Sequence, residues 1–316
     1  MTAENRPPIP EDIKREVRQR CGFGCVLCGL PLYEYEHMLE WSVVKRHVAD
    51  EITLLCRFHH GEKTDCLLPK EVVAAANKDP WNLRQGVSKP YTLHYSGDSV
   101  ECIIGDNVFT TGPGQQTLVP LMIQGEPLVM FDLADGHLLL SLNLYDEQGN
   151  ILLRIDKNEL AYSMQPWDVT LVGRTLKLRQ AERHINIEIE FAVPNKVHIR
   201  RGIFHKGGTE VLVGTDYLYV TNSASLIGGC SMSGARYGIV LGNPPPAGGC
   251  GIVFAGTVPP VPDRKEARRT FRRMLKKMRE SEHLRDVSAS APRAQGFRLH
   301  TLSDVAWYLV FPGRNS

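Results

Sequence analysis

The chain has 316 residues, 42% of them apolar, and a formal net charge of +2. That is enough apolar material for a sizeable core, and the length suggests two domains or more. The near-neutral charge excludes a uniformly basic surface, so any contact with nucleic acid must come from local clusters. No run is long and apolar enough to span a bilayer.

Met1 to Pro10 is polar and proline-rich without an apolar stretch, which is not the pattern of a secretory signal. A reducing cytoplasm is the expected compartment, where clustered cysteines bind metal more often than they pair. Pro10 and Glu11 open a helix through Arg20, with Ile13 and Val17 on one face and Gly22 as the stop.

Five of the eight cysteines lie between Cys21 and Cys66. Cys25 and Cys28 form a Cys-x-x-Cys knuckle, and Cys56 and His59 form a Cys-x-x-His knuckle, with 27 residues between the two. Two knuckles supply the four nitrogen and sulfur ligands of tetrahedral zinc. A segment of about 60 residues buries little apolar surface, and a structural metal supplies part of the missing stability. A redox Cys-x-x-Cys pair is disfavoured, because no thioredoxin-like βαβ pattern surrounds it. His59 and His60 are adjacent and either can close the site; the matching two-residue gap selects His59. Cys21, Cys102, Cys230 and Cys250 read as packing residues.

Between the knuckles, Tyr33 to Met38 alternates aromatic and charged residues, as a strand ending in Glu36-His37. Ile52 to Leu55 is a short apolar run leading into a helix. Pro69 sits at the first turn of a further helix, Lys70 to Asn77, ended by Asp79-Pro80.

The run Arg18 to Gly29, then Glu36-His37, then Leu54 to His60 with Lys63, resembles the zinc-bearing HNH (ββα-metal) endonucleases over residues 9–75. The resemblance implies that His37 is the general base and that Glu36 and His60 hold a catalytic Mg²⁺ or Mn²⁺. It also implies a structural Zn²⁺ on Cys25, Cys28, Cys56 and His59, with Lys63 contacting nucleic acid. Phosphodiester hydrolysis suits such a set, since it needs an activated water and a cation to neutralise phosphate charge. The family's middle Asn braces the loop that aims the base; here that position is Glu51, which can accept the same hydrogen bonds or add a metal ligand.

From Tyr91 the texture changes to short strands separated by turns: Val100 to Ile104, Leu118 to Ile123, Leu128 to Leu133, Leu138 to Leu144, Ile151 to Ile155, Trp167 to Val172, His184 to Phe191 and Lys196 to Ile199. Residues 146–150 read as a hairpin loop. Residues 201–262 are glycine-rich, matching tight turns rather than a phosphate loop or a nucleophile elbow. The run Pro259 to Pro262 marks a domain edge. From Asp263 to about Glu282 a helix carries the apolar stripe Ala267, Phe271, Met274, Leu275 and Met278. Its cationic residues, Arg268, Arg272 and Lys276 among them, suit phosphate backbones, an ordinary solvated face or an acidic partner. Asp286 to Gln295 reads as a linker, and Thr301 to Phe311 as a last docking element.

The expected fold is therefore α+β: a zinc-bound ββα-metal module over residues 1–85, a larger antiparallel β-rich domain over 86–262, and a basic amphipathic helix with its tail over 263–316. The expected function is cleavage of nucleic acid, DNA rather than RNA. The β-rich domain would serve recognition, regulation or assembly, through a homo-oligomer contact or a regulatory partner. Defence against phage or other foreign DNA suits that arrangement by analogy. The competing class is a non-catalytic zinc-bearing nucleic-acid-binding or adaptor protein with a degenerate HNH site.

Overall fold

A computed structural model describes residues 7–39, 41–134, 136–256 and 263–288. The run Pro259 to Pro262, the segment Thr301 to Phe311 and residues 289–295 of the expected linker lie outside the described residues.

Helix α1 (Glu11–Arg20) starts after Pro10, whose φ of −56° preorganises the first turn. Glu11 and Asp12 in that turn, and Arg18 and Arg20 in the last, complement the helix dipole. Strands β1 (Glu34–His37) and β2 (Ile52–Leu55) pair antiparallel, with Glu36 opposite Thr53 and His37 opposite Ile52. The loop between them holds the short helix α2 (Trp41–Val44). Helices α3 (Arg57–Thr64), α4 (Lys70–Lys78) and α5 (Trp81–Gln85) follow. Val17, Cys21, Val26, Ile52, Leu54, Leu55 and Val73 form the small core they share. Cys21 is fully buried there, a packing residue as its position after α1 implied.

The remainder is two large sheets over one extended core. The eight-stranded sheet runs, edge to edge, Cys250–Phe254, Tyr237–Leu241, Thr117–Ile123, Glu126–Ala134, His137–Tyr145, Ile151–Asp156, Glu159–Tyr162 and Tyr91–Thr92. The second, ten-stranded, is a meander from Asp168–Val172 to Ser225–Ile227, with Glu101–Ile104, Asn107–Thr110 and Ser231–Ser233 joined at its side. Burial alternates along strands such as His137–Tyr145, where every second side chain enters the core.

The expectation of an antiparallel domain needs correction. Tyr237–Leu241 pairs parallel with both Thr117–Ile123 and Cys250–Phe254, Lys196–Lys206 pairs parallel with Glu101–Ile104, and Ser231–Ser233 pairs parallel with Asn107–Thr110. Three of these pairs meet after long excursions of chain, which permit the parallel direction that a hairpin forbids, while Tyr237–Leu241 and Cys250–Phe254 are joined through residues 242–249 alone.

Helix α6 (Arg264–Ser288) runs further than its apolar stripe suggested. Phe271 anchors it, 2% exposed and stacked on Tyr219 with ring centroids 3.8 Å apart. Among the described residues no helix is long and apolar enough to cross a membrane.

The N-terminal segment is joined to the sheets by buried polar contacts. Arg18 Nε and Nη2 donate to Asp168 Oδ1 and Oδ2, each at 2.8 Å. Gln19 Nε2 donates to the Trp167 carbonyl at 2.8 Å, and the Tyr162 hydroxyl donates to the Phe23 carbonyl at 2.6 Å. Beside the ion pair a polar cavity of about 790 Å³ opens between α1 and the second sheet, lined by Lys14, Arg15, Tyr35, Trp167 and Arg179 among others.

Candidate metal centre and catalytic cluster

The first knuckle follows α1 in a tight turn. The Gly29 N–H donates to the Cys25 carbonyl at 2.7 Å, and the Val26 N–H donates to the Leu54 carbonyl of β2 at 3.0 Å. Gly29 has a φ of +77°, and a Cβ there would lie 2.3 Å from the Trp81 ring, so both backbone and space require glycine. The second knuckle begins at Cys56, which precedes the first turn of α3. One helical turn brings His59 back, its Nδ1 3.3 Å from Cys56 Sγ.

The two knuckles converge. Cys25 Sγ is also 3.3 Å from His59 Nδ1, and Cys28 Sγ is 3.8 Å from Cys56 Sγ. All four ligand atoms lie within 4.8 Å of one another. Tetrahedral zinc with bonds of about 2.0–2.3 Å places its ligands about 3.5–3.8 Å apart. The Cys25, Cys28, Cys56 and His59 cluster therefore suits a metal such as zinc. The Cys25 thiol is lowered because Cys28 hydrogen-bonds its thiolate, and Cys28 is raised in turn by serving that partner. His60, the alternative ligand, points elsewhere.

His60 Nε2 lies 2.9 Å from Glu36 Oε2, and its Nδ1 lies 3.5 Å from Glu34 Oε2. Strand alternation explains the set: Glu34 and Glu36 share one face of β1, over α3. Lys63, one turn after His60, pairs with Glu36 and also donates to the His37 carbonyl at 3.3 Å. Its side chain is 12% exposed. Lys63, expected to contact nucleic acid, is here a strut between β1 and α3.

His37 leaves β1 on the other side and is buried. Its Nε2 is 3.3 Å from His47 Nδ1, and its ring meets Trp41 edge-on at 5.5 Å. Trp41 in turn stacks on His47 at 4.7 Å. His47 and Trp41 were missed in the sequence because no spacing rule ties a loop residue to a strand end. Glu34 had a signal, the period of two that it shares with Glu36.

Glu51 braces this loop. Its carbonyl accepts from the Met38 N–H at 2.9 Å, and its carboxylate pairs with Arg46, whose Nε donates at 3.2 Å. The carboxyl is held below its ordinary value, first by the hydrogen bond from Arg46 and less by the His37 ring. Arg20 fixes the approach to β2 by donating to the Ala49 and Ile52 carbonyls.

On α6, Arg268 does not face outward as expected. Its guanidinium pairs with the fully buried Glu210 and with Glu147. Helical geometry places it three residues from Phe271, on the docked face. Arg272 is exposed, and Lys276 is 79% exposed beside Glu280.

Fold and site together define an α+β protein, mostly sheet, with a Cys₃His cluster able to hold a metal near its N-terminus. Compared with protein-family models, characterised proteins and solved structures, the chain matches none.

Proposed function

We propose that the chain is a metal-dependent endonuclease of the HNH (ββα-metal) kind, with β1, β2 and α3 as its catalytic module. The observation that carries this reading is the pairing of Glu36 with His60 at 2.9 Å, next to a Cys₃His cluster and one residue before the loop-packed His37. Neighbouring ligands of an octahedral ion with bonds of about 2.1 Å stand about 3 Å apart, so Glu36 and His60 fit a shared Mg²⁺ or Mn²⁺. When bound, that ion supplies charge neutralisation at the phosphate and leaving oxygen.

The chain's own residues do the rest. His37 takes the proton of the attacking water. His47 holds the His37 ring and shares the charge that develops there, and the depressed Glu51 carboxyl faces the same imidazole. Lys63 sets the distance between Glu36 and the His37 backbone. Arg272 and Lys276 are the outward cations of α6 for a phosphate backbone, DNA in the first instance. The β-rich body supports recognition or regulation.

A second reading has its own observation. Glu36 is already paired with Lys63, and Glu51 with Arg46, as in a zinc-stapled adaptor with a degenerate site. His37→Ala separates the two. Cleavage of nucleic acid should fall by roughly a hundredfold or more in a chain that keeps its zinc and stays folded; cleavage at the unsubstituted rate would remove His37 from the mechanism.

A further inference from the structure

A second group of ligand-bearing side chains lies far along the chain from the zinc cluster. Gly207 and Gly208, with φ of +52° and +82°, turn a hairpin whose register sets His205 opposite Glu210. The loop before Ile151 brings Glu147 from the other sheet. One ligand atom from each of Glu147, His205 and Glu210 falls within 4.8 Å of the others.

Two features set this group apart from an ordinary acidic patch. Glu210 is fully buried, so its charge requires a cation. His205 is 8% exposed, and its Nδ1 is buried without a hydrogen-bond partner, 3.7 Å from Glu210 Oε2. A buried imidazole nitrogen beside a carboxylate and without a hydrogen-bond partner is a candidate ligand atom. The positive charge is provided instead by Arg268 of α6. Its Nε donates to Glu210 Oε1 at 3.0 Å and its Nη2 to Glu147 Oε1 at 2.8 Å. The Thr221 hydroxyl donates to Glu210 Oε1 at 2.8 Å.

We infer that Glu147, His205 and Glu210 form a second cation site, plugged by the Arg268 guanidinium, which takes a divalent first-row metal ion when α6 lifts. One imidazole and two carboxylates suit Mn²⁺ or Zn²⁺. Metal and helix compete for the same carboxylates, so the ion releases α6 and the helix excludes the ion. The cationic face of α6 then becomes free to move. This inference does not depend on the nuclease reading, and its failure would leave that reading intact.

Mn²⁺ titrated into the full chain, with the free ion followed by electron paramagnetic resonance, tests it. A plug engaged about nine-tenths of the time weakens apparent affinity about tenfold. Arg268→Ala should therefore bind Mn²⁺ about tenfold more tightly, and adding His205→Ala should abolish that gain. The Cys₃His cluster and the Glu36–His60 pair are the same in every chain, so the difference reports this site alone. A second measurement needs no change at Arg268: tryptic cleavage within α6 of the unsubstituted chain should accelerate severalfold with Mn²⁺, and His205→Ala should remove the response. Equal Mn²⁺ affinity in folded Arg268→Ala with and without His205→Ala would overturn the inference. So would tryptic cleavage indifferent to Mn²⁺, which alone decides the matter if Arg268→Ala does not fold.

Discussion

Asp168→Ala removes one carboxylate and leaves a guanidinium stranded at the junction of the two parts of the chain. Both side chains of the pair are nearly inaccessible, Arg18 at 4% and Asp168 at 3% exposure. Arg18 would keep its bond from Nη1 to the Tyr35 hydroxyl at 2.8 Å and its ion pair with Glu11 at 3.0 Å. Glu11 is 62% exposed and compensates only in part. Breaking a buried pair from one side costs about 3–5 kcal/mol, and Glu11 favours the lower figure. At about 2–4 °C per kcal/mol for domains of roughly 150–250 residues, about 3 kcal/mol lowers the melting midpoint by about 6–12 °C. Thermal melts by circular dichroism or calorimetry measure it. Arg18→Met with Asp168→Leu should recover most of the loss, since no charge is then stranded. A single variant melting within about 1 °C of the unsubstituted protein, or a double variant no better than the single, would refute the argument.

Acid should loosen α6 before it unfolds the sheets. Burial raises Glu210, but the bonds from Arg268 outweigh it and hold the carboxyl below its ordinary 4.5. Its contribution is therefore complete above 4.5 and is lost as pH falls through the depressed value. Burial lowers His205 below its ordinary 6.5, so its share begins to fade as pH drops through 6.5, where only the undocked state takes up a proton. Both act in the same direction, and protection of α6 amides from hydrogen exchange should fall from pH 6.5 downward; Glu210→Gln should blunt the step below 4.5, and an unchanged profile would count against this pairing. Charge reversal at Arg272 and Lys276 should weaken nucleic-acid binding and reduce its salt slope by about one for each phosphate no longer neutralised. An unchanged slope would make α6 an ordinary solvated helix on that face.

The local features were legible in the sequence. Proline, acidic first-turn residues and glycine bounded α1; ligand spacing paired the knuckles; the run from His184 to Phe191, between turns, marked a strand. Such signals lie within a few residues of one another. The illegible features depend on partners far away. Nothing near Tyr237 indicates that it lies beside Val119, nor near Lys196 that it lies beside Glu101. Arg268 and Arg272 look alike in the sequence, yet one is taken by Glu210 and the other is exposed, because the surface that α6 meets decides which face is covered. Lys63 likewise reads as a nucleic-acid contact from the resemblance, and only the fold places Glu36 opposite it.

Cleavage of plasmid DNA by the full chain, with metal content read by mass spectrometry, tests the nuclease reading most directly. One zinc per chain is expected, with strand scission only when Mg²⁺ or Mn²⁺ is added. His60→Ala should keep the zinc and lose roughly a hundredfold or more of the rate. A zinc-loaded, folded chain that cuts neither DNA nor RNA with either ion, or that cuts equally well as His60→Ala, would contradict it.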